Sequence, residues 1–453
     1  MKYTLALIFI ALLATNLPSK AQDAPVPLSL EDCMTYAMKH NYTIKNARLD
    51  VLIQDAQNKQ TVSAAYPHIS AKAELDDYLN PQQSLVDVSS FAPPGTVPPG
   101  TKEIEKVAFT LPYGGTGSIN GSQILFDGSV LVALQAQKTI MEYARLNGEI
   151  SAETIRYNVY KAYNSLAIAY RQYDIIKNSL QYARQIEHDI TVTQQSGFAE
   201  RIDVERTSVQ VNNLSTDSIK VSNMLNVSEK VLKYQMGMDI NTPIVLIDTN
   251  VEDTKNEVAS LMDEDENYSR VPEYNFFTTQ LKLNSYNVKR YQFAALPSLN
   301  LFAAAGANYA SYRFQDMFTP NSYLFNSVVG LQLNLPIFNG FMRHNQVREA
   351  KLNVEKSKNN IENIKLTIDF QVAQSRTTLR NAVLEARNQH RNLDLANDVL
   401  DLAQKKYKAG VGSNLEVTQA QTDQLTAQNN YFSALLDLIN AEADLKKALG
   451  LLK

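Results

Sequence analysis

Apolar positions along this chain follow two periods, and the switches between them mark out its elements. Ala162, Tyr163, Leu166, Tyr170 and Tyr173, then Ile176, Leu180, Ala183, Ile186 and Ile190, keep the three-and-four spacing of a helix that packs on other helices. The stretch from 129 to 195 around them contains Gly148 as its sole glycine and no proline, and 341 to 409 contains neither residue. Each predicts a helix of roughly 100 Å at about 1.5 Å per residue, too long for the interior of a compact domain. Further helices are predicted over 28–66, 200–236, 273–295 and 413–449. Ser29 reads as the N-cap of the first of these, ahead of Glu31 and Asp32. The helices over 200–236 and 413–449 are about half as long as those they return along, so 28–66 and 273–295 are predicted to stack on their ends.

Between the helices the period falls to two. Ile69, Ala71, Ala73 and Leu75 alternate with Ser70, Lys72, Glu74 and Asp76; Val329, Leu331, Leu333, Leu335 and Ile337 alternate with Gly330, Gln332 and Asn334. Strands are predicted over about 69–80, 116–126, 298–310 and 327–338, with the alternation weakest in 116–126. Segments of about 10 alternating residues have the length of a tilted membrane-spanning strand.

The same grammar occurs twice. Phe126-Asp127-Gly128 corresponds to Phe338-Asn339-Gly340, Gly197 to Gly410, Asp203-Val204 to Glu416-Val417 and Gly237 to Gly450, at an offset of 212 or 213 throughout. Pro67 and Pro297 are offset by 230, so the first copy has about 18 extra residues before its Phe-x-Gly, most of them in the loop-forming run FAPPGTVPPG. Residues 22–237 and 266–453 therefore form two repeats of helix, β-hairpin, long helix and helix.

Four strands cannot span a membrane alone, because a sheet in lipid must have no open edges. Two chains would give eight strands and a barrel filled by side chains; three give twelve and leave a water-filled bore. A tunnel favours the trimer, and the predicted class is mainly α with a membrane β-barrel.

Composition narrows the setting. Lys2, the apolar run Leu5–Ala14 and the small-residue site Ser19-Lys20-Ala21 read as an export signal over 1–21. A net charge of −4 argues against nucleic acid as a partner. Cys33, the single cysteine, excludes an intrachain disulfide and reads as a small, partly buried side chain. His40, His68, His188, His344 and His390 lack metal spacing. No phosphate-cradling glycine loop is present, so the reading is of a non-enzyme without cofactor.

The stretches LSLEDCMTYAMKHNYTIKNARLDV, YPHISA, FDG and FNG, the tips IDV and LEV, and the closing ADLKKALG together resemble the TolC-like outer membrane efflux protein family along the whole mature chain. The resemblance implies a homotrimer with a twelve-stranded barrel in outer-membrane lipid, a twelve-helix periplasmic tunnel and an equatorial region over 238–265. It also implies a passive exit duct for small molecules, docked through a periplasmic adaptor protein to an inner-membrane pump. A type I protein-secretion duct is the alternative within transport; a periplasmic coiled-coil scaffold without a pore is the alternative outside it.

The candidate residues lie at the two turns between long and returning helices. Ser413-Asn414-Leu415-Glu416 has the form of a capping box, with Glu416 reaching back to the Ser413 N–H. Three copies about an axis would also make Glu416 a ring of carboxylates favouring cations, with Asp203 adding a second set. The best-known family member closes its mouth by tying a tyrosine to an aspartate, and Tyr407 and Asp203 match those positions. Its second tie, arginine to threonine, matches Gly412 and Ile202, so that lock is missing. Of its two successive acidic rings, the first corresponds to Glu416 and the second to Gln419. These departures imply a mouth that is held shut less firmly and selects cations less strongly than in that relative. Gly197, Gly410, Val411 and Gly412 are the candidate adaptor contacts, and the glycines also suit left-handed helix endings.

Overall fold

The computed structural model describes residues 25–87, 89, 93, 102, 104–247, 255–319 and 323–452. The export signal expected over 1–21 and all of the Pro/Gly run 91–100 except Pro93 lie outside the described residues. In chain order the elements are β1 (Val26–Leu28), α1 (Leu30–His40), α2 (Tyr42–Ser63), β2 (His68–Asp77), β3 (Gln83–Asp87), β4 (Ile104–Ala108), β5 (Tyr113–Phe126), α3 (Gly128–Gln195) and α4 (Arg201–Met236). The second half contributes β6 (Ile244–Leu246), α5 (Lys255–Met262), α6 (Pro272–Phe293), β7 (Ser298–Ser311), β8 (Tyr323–Asn334), α7 (Met342–Lys408) and α8 (Asn414–Ala448). No helix is long and apolar enough to cross a membrane among the described residues.

Two compact units share these elements. One comprises residues up to 52, 143–278 and 359–453; the other comprises 53–142 and 279–358. The first is helical and holds the main core. Val159, Leu166, Leu232, Met236, Val372, Leu379, Ile439 and Leu445 are fully buried there. Removing each such aliphatic side chain from water contributes about 1.5–3 kcal/mol. Cys33 is fully buried in the same core rather than partly, and burial pushes its thiol up to about 12, which keeps it from acting as a nucleophile. The short parallel pair β1 and β6 brings Leu28 and Leu246 into that core, and β6 and α5 give the 238–265 region structure of its own.

The single helix expected over 28–66 is broken at Asn41. Ser29 and Asp32 form a reciprocal cap at the start of α1. At Asn41 the backbone turns extended (φ −60°, ψ 132°). The Asn41 amide donates to the Gln235 carbonyl at 2.7 Å, while its side-chain oxygen accepts the Thr43 N–H at 2.8 Å and so caps α2. A distant segment therefore decides the break, by giving Asn41 a buried partner that a continuous helix would forgo.

The second unit is built on a four-stranded antiparallel sheet in the order β2-β5-β7-β8. Its strands depart from the sequence expectation at several ends, β5 among them, which starts at Tyr113 instead of 116. β8 stops at Asn334 instead of 338, where Pro336 offers no N–H to a ladder, and it starts earlier, at Tyr323. β2 stops at Asp77 instead of 80. A second hairpin then forms, with β3 and β4 paired from Gln83↔Ala108 to Asp87↔Ile104, where only a loop was expected.

Candidate functional site

The register of the sheet puts one residue from every strand in each cross-strand row. Ile69, Gly121, Ala303 and Val329 form one row; Ala71, Ile119, Ala305 and Ser327 the next; Ala73, Gly117, Ala307 and Phe325 a third; Leu75, Gly115, Tyr309 and Tyr323 a fourth. Direct partners point to the same side of a sheet, so the alternations of all four strands share one apolar face. The opposite face carries Lys72, Ser118, Gly306 and Asn326 in one row and Ser70, Asn120, Ala304 and Val328 in another. β5 looked weak because glycines occupy its apolar-face positions. At Gly115 the gap is covered by Leu75, whose Cδ2 would lie 3.1 Å from an added Cβ.

Aromatic side chains border this face at both strand ends. Tyr113 meets Phe314 at 5.9 Å and Tyr309 meets Tyr323 at 5.7 Å at one end. At the other, Phe338 and Phe341 meet at 5.4 Å, and both are exposed. Such girdles flank the lipid-facing band of membrane barrels. β2 and β8 are the edges of the sheet, and Ile69, Leu75, Phe325, Val329, Leu331 and Leu333 are exposed on them.

The helix turns lie in the other unit. α3 ends with the Gly197 N–H donating to the Gln194 carbonyl at 2.9 Å and the Phe198 N–H to Thr193 at 3.0 Å; α7 ends with Gly410 donating to Tyr407 at 3.0 Å and Val411 to Lys406 at 3.1 Å. Both endings are Schellman motifs with glycine at positive φ, 80° and 76°. The residue after each glycine is a large apolar side chain left in the open: Phe198 is 87% exposed and Val411 80%. The sequence reading missed Phe198, although the offset of 213 that paired the glycines pairs it with Val411.

At the second turn the Ser413 hydroxyl accepts the Glu416 N–H at 3.2 Å, but the Glu416 carboxylate does not return the bond expected of a capping box. It lines an open groove of about 480 Å³ with Leu402, Lys406, Leu415, Gln419 and Asp423. Gln419 donates to the Asp423 carboxylate at 2.9 Å. Glu416, Gln419 and Asp423 thus share one face of α8, and Asp423 places a carboxylate one turn beyond Gln419, at a position the sequence reading passed over. The first turn differs: Glu200 is the N-cap residue and makes no side-chain cap.

Tyr407 packs against Ala403, Val417 and Ala420, with Ile186 and Leu400 beside it. Burial raises its hydroxyl above the usual tyrosine range, and the Asp203 and Asp189 carboxylates raise it further. Among the described residues its hydroxyl makes no hydrogen bond to Asp203, so the two are electrostatic neighbours rather than tied. α4 is joined to its neighbours elsewhere: Ser208 donates to Glu187 at 2.6 Å, and the buried Asn414 amide lies 3.4 Å from the Thr207 hydroxyl. Gly412 is required by contact rather than by φ. A Cβ there would lie 2.9 Å from the Lys406 Cβ and 3.0 Å from the Tyr407 nitrogen, so an arginine at this place would need a more open turn. Ile202 is exposed.

Three kinds of comparison meet on this arrangement. The profile of outer membrane efflux proteins matches residues 278–451. The outer membrane protein TolC of Salmonella enteritidis is 23% identical over 352 residues, covering 74% of this chain and 69% of that protein. The probable efflux pump outer membrane protein TtgC of Pseudomonas putida is 30% identical over 177 residues, 38% of this chain and 34% of that one. Among solved structures, the CmeC outer membrane channel of Campylobacter jejuni superposes with a TM-score of 0.70 at 18% identity, covering 93% of this chain and 85% of that one. The outer membrane protein VceC of Vibrio cholerae gives 0.67 at 15% identity, with 93% and 96% covered.

Proposed function

We propose, from the premise that this chain belongs to the TolC-like outer membrane efflux protein family, that three copies close a twelve-stranded barrel and continue it as a helical periplasmic tunnel. The observation that carries this reading is the four-stranded sheet with both edges open and one continuous apolar face bordered by aromatics. In lipid each unpaired backbone group on β2 and β8 costs several kcal/mol. Pairing β8 of one copy with β2 of the next removes every edge and leaves a bore wide enough for solutes. A coiled-coil scaffold leaves that apolar face without a purpose.

The duct performs no chemistry of its own; an inner-membrane pump supplies energy and a periplasmic adaptor joins pump to duct. Phe198 joins Gly197, Gly410, Val411 and Gly412 as a candidate adaptor contact, because each turn offers an exposed apolar side chain, Phe198 or Val411, that is held in place by a rigid helix ending. At the mouth, Asp203, Tyr407, Glu416 and Gln419 remain the gate candidates, and Asp423 joins them as the second acidic ring. Three Glu416 and three Asp423 carboxylates around an axis favour cations over anions.

The mass of the detergent-solubilised particle, measured with detergent subtracted, is expected to be three chains; a single chain in free solution overturns the duct. Conductance of single particles in a planar bilayer tests the mouth. Neutralising Glu416 and Asp423 together (Glu416→Gln with Asp423→Asn) is expected to reduce cation preference, and Asp203→Ala to raise conductance. Unchanged conductance and selectivity in all of these variants would remove the gate assignment.

A further inference from the structure

A second polar cavity lies far from the helix turns in sequence, within the helical unit. It has a volume of about 410 Å³, and its walls come from four helices: Glu153 and Tyr157 on α3, Glu273 on α6, Gln371, Gln374, Ser375 and Thr378 on α7, and Asp444 and Lys447 on α8. The carboxylates in it are not equivalent. Asp444 is satisfied, since it accepts the Tyr157 hydroxyl at 2.5 Å and lies 3.5 Å from the Lys161 ammonium. Glu153 is only 3% exposed, lines the cavity and, among the described residues, has no hydrogen-bond or ion-pair partner.

An ionised carboxylate buried without a partner is costly, and the cost disappears only if the group takes up a proton or a cation. Burial pushes the Glu153 carboxyl up to about 7; Glu273 opposite adds to the rise, and Lys447 and Arg156 oppose it. The other charged or titratable groups facing it are Tyr157 on its own helix and Asp444 on α8, while α7 presents no charged group, only amides, hydroxyls and two isoleucines. Lys447 lies 4.8 Å above the Tyr157 ring rather than in an ion pair with Glu153. The cavity thus presents three carboxylates against one ammonium, together with acceptor oxygens on Gln371, Gln374, Ser375 and Thr378.

We infer that this cavity is a binding site for a small organic ammonium ion, with Glu153 and Glu273 as its charged acceptors. Its size sets the ligand class. The volume exceeds the roughly 30 Å³ of one water many times over and lies in the range of small-molecule pockets. No group of three acidic, histidine or cysteine side chains among the described residues is placed to hold a metal ion. An ammonium donates its N–H groups to carboxylate and amide oxygens, and its methylenes lie against Val271, Ile364 and Ile368 on the same wall.

Proton and ligand compete for Glu153, which fixes the sign of the pH dependence. The ligand meets an ionised Glu153 above about pH 7 and a protonated one below it. From pH 8 to pH 6 the ionised fraction of such a group falls about tenfold, and affinity falls with it.

Calorimetric titration of the purified full-length protein in detergent with putrescine, at pH 8 and pH 6, tests the site. The expected result is saturable binding of one putrescine per chain at pH 8, about tenfold weaker at pH 6, and at least tenfold weaker at pH 8 in Glu153→Gln. Glu273→Gln is a second variant on a different helix, expected to weaken binding with Glu153 intact. Tetramethylammonium, a cation without N–H donors, is expected to bind far more weakly. No saturable putrescine binding at pH 8, equal affinity in both variants and the parent, or displacement of putrescine by equimolar Mg²⁺ would each overturn the assignment.

Discussion

Four glycines end long helices in this chain with one backbone motif, yet two of them sit in open solvent and two are pressed against other segments. Gly197 and Gly410 have φ of 80° and 76° and no atom within 4 Å of where a Cβ would be. Gly237 and Gly450, with φ of 71° and 67°, would place a Cβ 2.7 Å from the Asn41 Cα and 2.6 Å from the Arg270 carbonyl oxygen. The hydrogen bonds match in kind: Gly237 and Met238 donate to Tyr234 and Lys233, and Gly450 and Leu451 to Lys447 and Lys446. Glycine at the first pair serves the turn alone. At the second pair it serves the turn and the packing of another segment onto it, including the Asn41 break that separates α1 from α2.

The sharpest way to break this comparison is alanine at the packed pair. Gly237→Ala and Gly450→Ala combine left-handed strain with overpacking against backbone that cannot move aside, and each is expected to cost about 3 kcal/mol. Thermal unfolding followed by helical circular dichroism would show it; a loss no larger than that at the open pair would remove the packing role. Gly197→Ala and Gly410→Ala carry only the strain, about 1 kcal/mol each, and should leave assembly intact.

Smaller effects separate the two open turns. Ser413 caps α8 and Glu200 leaves α4 uncapped, so Ser413→Ala is expected to lose about 1 kcal/mol. Glu200→Ser should gain about 0.5 kcal/mol by supplying the missing acceptor. Hydrogen exchange of the first-turn amides of α4 and α8 reads both changes locally. Equal protection in the two parent turns would mean that the cap does not distinguish them.

Much of this was legible in the residues because it depends on neighbours in sequence. The three-and-four stripe from Ile176 to Ile190 meets its partners as expected, with Ile176 and Ala183 packed on Val211 and Leu214 of α4. The ends of α3, α4, α7 and α8 fall at Gly197, Gly237, Gly410 and Gly450, because a left-handed residue terminates a helix by local geometry. The misses have physical causes. Continuous helix propensity across 28–66 hid a break made by a bond to Gln235. Alternation continued through Leu335 and Ile337 past a proline that could not join the ladder. β3 and β4 are five-residue strands flanking a Pro/Gly run, too short to show a period. At the candidate mouth, Glu416 was found from its place in the cap, while Asp423 needed the Gln419 bond to mark it. Phe198 could have been found from the repeat alone.

The sequence by itself determined the periods, the duplication and the helix endings, since each rests on which side chains stand two, three, four or 213 positions apart. Only the tertiary structure decided the rest. It aligned the four alternations into one apolar face, separated glycines that meet backbone from glycines that meet nothing, and left Glu153 buried without a partner while Asp444 nearby was satisfied. Those outcomes depend on which distant segments come within a few ångströms of one another, and burial and hydrogen bonding are properties of that proximity rather than of order along the chain.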